Sequence, residues 1–267
     1  MKTETMAVAA SAPSVAATAG MADLGRVIAA STVGSAMEWY DFSIYGTASA
    51  LIFADLFFPG LSKVAGLLAI FGAYAAGFIA RPFGGLFFGW LGDKLGRKVV
   101  LVATVLLMGG STFCIGLLPT YGMVGLWSAV LLVTLRLLQG FGAGAEQAGA
   151  SLIVSEFAPP SRRGFYAALP FASCNVGILL AGAMFTFVQR LPKDDFVSYG
   201  WRIPFLFSVL VVLTGIIIRM RVKESPVFEE IKRAGHTSDR PVKELLTESR
   251  GRLLVAFGLR VGENGSS

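Results

Sequence analysis

Two carboxylates lie one helical turn apart in an otherwise apolar stretch of the chain. Glu38 and Asp41 fall within GSAMEWYDFSIYG, residues 34–46, and a spacing of three places both side chains on one face of a helix. An ionised acid facing lipid costs about 2.5–3.5 kcal/mol on insertion scales, so both are expected to face protein or water. Such acids serve proton relays and substrate pathways, or they form an ion pair that only holds helices together. The residues alone leave both alternatives open.

Basic and polar side chains that could partner these acids lie in later apolar stretches. Arg81 and Arg136 are the available cations, and Arg136 lies too deep in its stretch to be a surface anchor. Glu146 follows Arg136 by ten residues, nearly a right angle away around a helix, so the two are expected to line one cavity without pairing. The candidates for substrate contact are Arg136, Gln139, Arg81, Tyr40, Tyr45 and Asn175. For the tyrosines, packing is the competing role.

Composition places these side chains in a membrane protein. The chain has 267 residues, 54% hydrophobic and 15% charged, and its mean hydropathy is +0.67, whereas soluble domains are about 25% charged. A spanning helix needs about 20 apolar residues. The segments of that length are 28–54, 64–89, 99–118, 123–150, 165–189 and 203–220, and another begins at Leu253. The predicted fold class is therefore an all-α polytopic membrane protein.

The distribution of Lys and Arg predicts orientation and domain organisation. The net charge of +6 comes from short basic clusters between apolar segments, which argues against a nucleic-acid partner. Most of these clusters fall on the side of the N-terminus, which is therefore expected in the cytoplasm. The predicted organisation is a mobile tail at 1–24, six transmembrane helices at 25–220, a cytoplasmic linker at 221–251 and a truncated seventh helix at 252–267.

One predicted cytoplasmic turn carries a specific motif. Residues 89–101, GWLGDKLGRKVVL, combine glycines with one acid and a basic cluster, and an anchoring role alone would not require the acid or the glycine spacing. The pattern G-x-L-x-D-x-x-G-R-K resembles the signature loop of the major facilitator superfamily. The resemblance implies that Asp93 and Arg97 lock the cytoplasmic side against the other half of a transporter, while Gly89 and Gly96 permit a tight approach. The further gate elements that it implies are Lys98, Glu156, Arg163 and Glu224.

A second motif narrows the resemblance. RLLQGFGAGAEQAGA, residues 136–150, is similar to the superfamily's R-x-x-Q-G motif and to the G-x-G-x-E-x-x-G that follows it in the metabolite:proton symporter family. The resemblance covers nearly the whole chain from about residue 25. It implies the N-terminal six-helix half, built from two three-helix repeats, of a twelve-helix fold in the inner membrane, whose missing C-terminal half is a required partner. The G-P-x-x-G-G motif of the superfamily's antiporters is not found on the fifth span, which favours symport.

The resulting hypothesis is a secondary transporter that moves a small polar or anionic metabolite together with protons by alternating access. Relatives in that family carry shikimate, oxoglutarate, citrate, or proline and betaine. Asp41 is the favoured proton site and Glu38 the alternative, with Arg136 as electrostatic partner or anion contact and Glu146 lining the same cavity. The competing hypothesis is a half-length, non-transporting membrane module that needs a partner half. No motif indicates an enzyme, a metal site or a cofactor.

Overall fold

The computed structural model describes residues 21–220 together with Glu224, Phe228, Gly251, Leu254, Val255 and Gly258. Regular secondary structure within these residues is entirely helical. The predicted tail, linker and seventh helix lie largely outside the described residues, so those domain boundaries stay predictions.

Eleven α-helices follow one another through residues 21–220. Short π-helical segments at Ser49–Phe53 and Phe196–Gly200 and a 3₁₀ turn at Pro160–Arg162 join some of them. The helices are α1 (Met21–Ala48), α2 (Ala54–Phe57), α3 (Lys63–Leu95), α4 (Arg97–Leu117), α5 (Tyr121–Val124), α6 (Trp127–Ala143), α7 (Glu146–Phe157), α8 (Arg163–Ala172), α9 (Cys174–Val188), α10 (Lys193–Asp195) and α11 (Arg202–Met220).

Five helical segments of the described chain are long and apolar enough to cross a membrane: Lys63–Leu95, Arg97–Leu117, Trp127–Phe157, Pro160–Val188 and Arg202–Met220. Each corresponds to one of the predicted spans. The remaining predicted span, 28–54, is helical and continuous with α1, but it does not meet the same hydropathy criterion. Its polar face, which includes Glu38 and Asp41, lies inside the bundle rather than in lipid. The result is a six-helix bundle in which α1 is the central, most polar helix.

The bundle has two distinct ends. At the signature-loop end, around Gly96, the apolar start of α1 packs on Leu101 of α4 and Val154 of α7. At the aromatic end, Phe53 and Phe57 pack edge-to-face against Trp201. Phe53 ends the π-helical segment that follows α1 and Phe57 ends α2, so α1 runs from the signature-loop end to the aromatic end.

Glycines bring α3 and α6 into backbone contact. A Cβ on Gly140 would overlap the backbone of Gly77, and a Cβ on Gly84 would overlap the backbone of Phe141. The sequence predicts that a four-residue stripe of Gly72, Ala76, Ala80 and Gly84 packs backbone against backbone, and this prediction is wrong at Gly72. Gly72 is exposed, because a strict four-residue interval drifts around a helix of 3.6 residues per turn. The observed contact recurs every seven residues, at Gly77 and Gly84.

The predicted turn at residues 89–101 is shorter than expected. Helix α3 continues to Leu95 and α4 starts at Arg97, which leaves Gly96 as the residue between them. Gly96 has φ of 107°, a value that favours glycine. Gly89 and Asp93 therefore lie on the last turns of α3 and not in a loop, because the apolar pattern of α3 extends through them.

Candidate functional site

Asp41 lies at the centre of the bundle against polar side chains of two other helices. It is buried, within hydrogen-bonding reach of Thr112 on α4 and Gln139 on α6, and within electrostatic range of Arg136. Gln139 joins these groups, since its Nε2 donates to Thr112 Oγ1 over 2.7 Å and its Oε1 accepts from Arg136 Nη1. The predicted neighbourhood of Asp41 and Arg136 thus exists, with Gln139 as the connection between them.

Arg136 is held among aromatic rings. Its guanidinium carbon lies 3.8 Å from the ring centre of Tyr45, 4.8 Å from that of Tyr74 and 5.1 Å from that of Phe42. Tyr45 and Tyr74 stack on each other with ring centres 5.6 Å apart. Cation–π contacts stabilise a guanidinium without using its N–H donors. Nε and Nη2 of Arg136 have no hydrogen-bond partner among the described residues, so both donors are available to an anion.

Glu38 has a cation of its own. Arg81 Nη2 on α3 donates to Glu38 Oε1 over 2.5 Å, and the Arg81 guanidinium also lies 4.3 Å from the ring centre of Phe42. Arg81 is therefore the partner of Glu38. The two acids on α1 consequently differ. Glu38 forms a direct ion pair, whereas Asp41 reaches Arg136 through Gln139.

Glu146 pairs with a residue that the sequence analysis did not select. Arg219 on α11 donates to both carboxylate oxygens of Glu146, and Thr104 Oγ1 donates to Oε2 over 2.8 Å. Arg219 Nη1 also donates to the carbonyl of Leu101. The predicted sixth span, 203–220, includes Arg219, and α11 extends to Met220, but no partner was predicted for this arginine. A signal was present, since apolar residues continue directly up to Arg219.

The remaining predicted contact residues occupy different environments. Tyr40 is buried, and its hydroxyl donates to the carbonyl of Pro204 over 2.8 Å, which ties α1 to α11. Tyr45 is fully buried beside Arg136, and its hydroxyl lies within hydrogen-bonding reach of Ser49. Asn175 is exposed on α9. Tyr45 therefore lies in the Arg136 cluster, whereas the Tyr40 hydroxyl is occupied by a helix–helix bond.

The predicted gate residues meet at the signature-loop end. Arg97 Nη1 lies 3.2 Å from Asp93 Oδ1, one turn earlier on the chain. The carboxylate of Glu224 accepts from the backbone N–H groups of Arg97, over 2.9 Å, and of Lys98, over 3.3 Å. A Cβ on Gly96 would overlap that carboxylate. Glu224 thus caps the N-terminus of α4, where backbone donors and the helix dipole favour an anion.

Three other predicted gate residues show no such contact. Glu156 has a buried Oε2 with no hydrogen-bond partner within the described part of the chain. Arg163 is exposed and forms no ion pair among those same residues. Gly89 lines a cavity of about 180 Å³, and a Cβ there would meet nothing within 4 Å. The proposed role of these three residues in closing a cytoplasmic gate against the C-terminal half stays a prediction.

The chemistry available to this arrangement is binding and proton transfer. Three buried acids, Glu38, Asp41 and Glu146, each lie near a different arginine. Among the described residues no cluster of His, Cys, Asp and Glu could hold a metal ion. Reversible protonation of an acid next to a fixed cation changes the local charge by one unit, which is the event that an ion-coupled carrier requires.

Comparison with known proteins agrees with this architecture. The chain is 41% identical over 241 residues to the shikimate transporter of Escherichia coli strain K12, an alignment that covers 89% of this chain and 55% of that protein. It is 36% identical over 251 residues to the proline/betaine transporter of Salmonella typhimurium strain LT2, covering 90% of this chain and 50% of that protein. The chain therefore spans about half the length of the curated relatives it matches.

A solved structure shows the same fold. The proton:xylose symporter XylE, bound to 6-bromo-6-deoxy-D-glucose, superposes with a TM-score of 0.71 at 19% identity, over 79% of this chain and 47% of that one. The fold is thus the N-terminal six-helix half of a major facilitator transporter, as the sequence motifs predict. Within that superfamily the chain belongs to the sugar (and other) transporter family, whose model matches residues 27–252. Members of this class are transporters and not enzymes.

Proposed function

We propose that this chain is the proton-binding half of a secondary transporter that carries a small polar or anionic metabolite together with protons. The observation that carries the proposal is the contact network from Asp41 through Gln139 to Arg136 at the centre of the bundle. Burial favours the neutral form of a carboxyl group, and a nearby guanidinium favours the ionised form. The balance between the neutral and the ionised form of an acid in this position therefore responds to small movements of the cation beside it.

Arg136 is the proposed contact for an anionic substrate. Its Nε and Nη2 have no partner among the described residues, and a guanidinium fork matches the geometry of a carboxylate. Protonation of Asp41 removes a competing negative charge close to Arg136. Binding of a proton and binding of an anion then support each other. Shikimate, named for one relative, and proline and betaine, named for another, each contain a carboxylate.

We further propose that the signature-loop end faces the cytoplasm in an inner membrane. Lys94, Arg97 and Lys98 lie at this end of the described bundle, as the positive-inside rule requires. Closure on that side would use Asp93, Arg97 and the α4 cap formed by Glu224. Transport also requires a second six-helix half as partner, because a major facilitator site lies between two halves.

The proposal is tested with the complete carrier in proteoliposomes. An inward proton gradient, applied with shikimate, proline or betaine outside, is expected to drive accumulation of one of these solutes. Adding that solute without a gradient is expected to make the external medium more alkaline. Uptake that is equally fast with and without the gradient, and that moves no protons, contradicts proton coupling.

The half-length module remains a second candidate for one reason, the coverage of about half of each relative. The two candidates differ in a simple measurement, the intact mass of the native protein extracted from its own membrane. A mass near twice the 28.3 kDa of this chain supports the carrier. A mass of 28.3 kDa supports a half that acts with a separate partner.

A further inference from the structure

One buried face of α1 and of the π-helical segment that follows it carries hydroxyl groups that make no hydrogen bond to the rest of the described bundle. Ser31, Ser35, Tyr45 and Ser49 are each at most 1% exposed. The hydroxyls of Ser31 and Ser35 make no hydrogen bond among the described residues, and those of Tyr45 and Ser49 lie within hydrogen-bonding reach of each other. Together with Glu38 they recur at intervals that place them on one side of the helix. Glu38 Oε2 is also buried without a partner. This polar face runs through the bundle from near the signature-loop end to the aromatic end.

Several hydroxyls elsewhere in the bundle bond to their own helix. Thr47, on α1 itself, donates to the carbonyl of Ser43 over 2.9 Å, and Thr112 and Thr134 donate in the same way to carbonyls four residues earlier. That internal bond is available to a helical serine, yet Ser31 and Ser35 do not make it. A buried polar group without a partner costs about 1–3 kcal/mol. Buried polar groups of this kind are ordinarily satisfied by internal water.

The aromatic end of this face has room for water. Ser49 lines a cavity of about 190 Å³ that also contacts Asp55 and Lys63. A water molecule occupies about 30 Å³ of liquid volume, so the cavity is large enough for several. The cavity begins in the π-helical segment Ser49–Phe53, where the regular backbone pattern of α1 changes.

Phe42 interrupts the face between Glu38 and Tyr45. Its ring is buried and offers no hydrogen-bonding group. The guanidinium of Arg81 lies 4.3 Å from the ring centre and that of Arg136 lies 5.1 Å from it. An apolar ring between two cations opposes the passage of a hydrated proton both by excluding water and by charge repulsion.

We propose that the buried face of α1 holds two water-filled half-channels for protons, separated by Phe42. The first connects the signature-loop end with Glu38 along Ser31 and Ser35. The second connects the aromatic end with Tyr45 through the cavity at Ser49. Asp41 precedes Phe42 directly in the chain and lies beside this barrier.

The titratable and charged groups that face the half-channels come from α3, α6, α7, α9 and α11. Arg81 of α3 pairs with Glu38, and Arg136 of α6 lies near Asp41. Glu146 of α7, paired with Arg219 of α11, lies within electrostatic range of Glu38. The thiol of Cys174 on α9 also lies within range of Glu38. Each acid therefore has a basic counterpart, and a proton can be passed along the face without leaving a lone buried charge.

The barrier is tested with Phe42→Ala in the complete carrier, reconstituted in proteoliposomes without any substrate. Removal of the ring is expected to raise proton leak, measured with an internal pH dye, severalfold above the wild type. Phe42→Leu, which keeps an apolar side chain, is the matched control and is expected to stay near the wild-type leak. Solute counterflow, which needs no proton gradient, reports whether each variant is folded. A Phe42→Ala carrier with intact counterflow and no added leak overturns the proposal.

The path is tested by removing its hydroxyls. Ser35→Ala is expected to lower the leak of Phe42→Ala severalfold, whereas Thr47→Val, which removes a hydroxyl already bonded to its own helix, is expected to leave it unchanged. If Phe42→Ala loses counterflow, Ser35→Ala is examined alone, and slower proton-driven uptake with unchanged counterflow is expected. If Ser35→Ala leaves the leak of Phe42→Ala unchanged, the proposed path is overturned. It is also overturned if Ser35→Ala alone lowers proton-driven uptake and counterflow equally.

This inference rests on the proposed proton coupling, but the two fail separately. The leak needs neither substrate nor coupling, so it reports on the half-channels alone. Proton-driven uptake that survives intact in an Asp41→Asn carrier contradicts the proposed function whatever the leak shows.

Discussion

Arg219 on α11 and Glu146 on α7 form an ion pair that is closed to solvent, with side-chain exposures of 1% and 0%. Thr104 and the carbonyl of Leu101 provide further hydrogen bonds to the pair. Gly34 of α1 packs directly against it, since a Cβ there would overlap the Arg219 guanidinium. The pair therefore joins α4, α7 and α11 around the central helix at the signature-loop half of the bundle.

Loss of one partner is expected to be costly. Arg219→Gln leaves the Glu146 carboxylate buried without its cation, which is expected to lower the free energy of unfolding by about 3–5 kcal/mol. The double variant Glu146→Gln with Arg219→Gln is expected to recover part of that loss, because no lone charge remains. Thermal unfolding in detergent measures the stability of the single and of the double variant. Arg26→Gln is the control, because the Arg26 side chain is 57% exposed in its pair with Asp23 and pairs at the surface contribute about 0–1 kcal/mol. Equal effects of Arg219→Gln and Arg26→Gln contradict the structural role.

A second prediction concerns the close contact between α3 and α6. Gly140→Ala places a methyl group on the backbone of Gly77, so the helices must separate. Overpacking of this kind costs about 1–3 kcal/mol, and a lower unfolding temperature is expected. Gly72→Ala is the matched control, since a Cβ there meets nothing within 4 Å and alanine favours a helix by about 1 kcal/mol. A Gly140→Ala protein as stable as Gly72→Ala contradicts the close approach.

The α4 cap makes a third prediction. Glu224→Ala removes the acceptor of the Arg97 and Lys98 N–H groups. Loss of a cap costs about 0.5–2 kcal/mol, and the first turn of α4 is expected to open more often. Hydrogen exchange of peptides that contain residues 96–100 measures this opening. Glu156→Ala is the control. It also removes an acid, but Oε2 of Glu156 accepts no hydrogen bond in the described bundle. Unchanged exchange at the start of α4 in Glu224→Ala contradicts the cap.

Sequence patterns were sufficient for the fold because the spans depend on local properties. Apolar length, basic clusters and two motifs predict the six helices and the superfamily, and both predictions are confirmed. The predicted end of the sixth span, residue 220, agrees with the end of α11 at Met220, but the pairing of Arg219 was not predicted. Arg219 is buried only because Glu146, 73 residues earlier, satisfies it.

Partner choice in the site depends on distant contacts that no local pattern contains. Arg81 and Arg136 were both recognised as possible partners of the acids on α1, but their assignment follows from the packing of α3 and α6. Gln139 connects Asp41 with Arg136 through contacts between helices. The stripe on α3 failed at Gly72 for a simpler reason, since small residues recur often in membrane helices and only the neighbouring helix decides which of them are in contact.

The isolated chain makes a fourth prediction. Leu86, Leu138 and Leu179 are among many large apolar side chains exposed on the surface of the described bundle. Lipid or another protein must cover such a surface, and a major facilitator site is completed by a second half. The purified 267-residue chain in proteoliposomes is therefore expected to show no solute uptake. Co-expression with a second half is expected to restore it. Sustained uptake by the chain alone contradicts the need for a partner.

The most direct test of the proposed mechanism is solute transport by the complete carrier with Asp41→Asn. Asparagine keeps the size of the side chain but cannot exchange a proton. The account predicts that accumulation driven by a proton gradient is lost while solute counterflow is retained, and that Thr47→Val, on the same helix, changes neither. Full proton-driven accumulation by Asp41→Asn would contradict the assignment of Asp41 as the proton site.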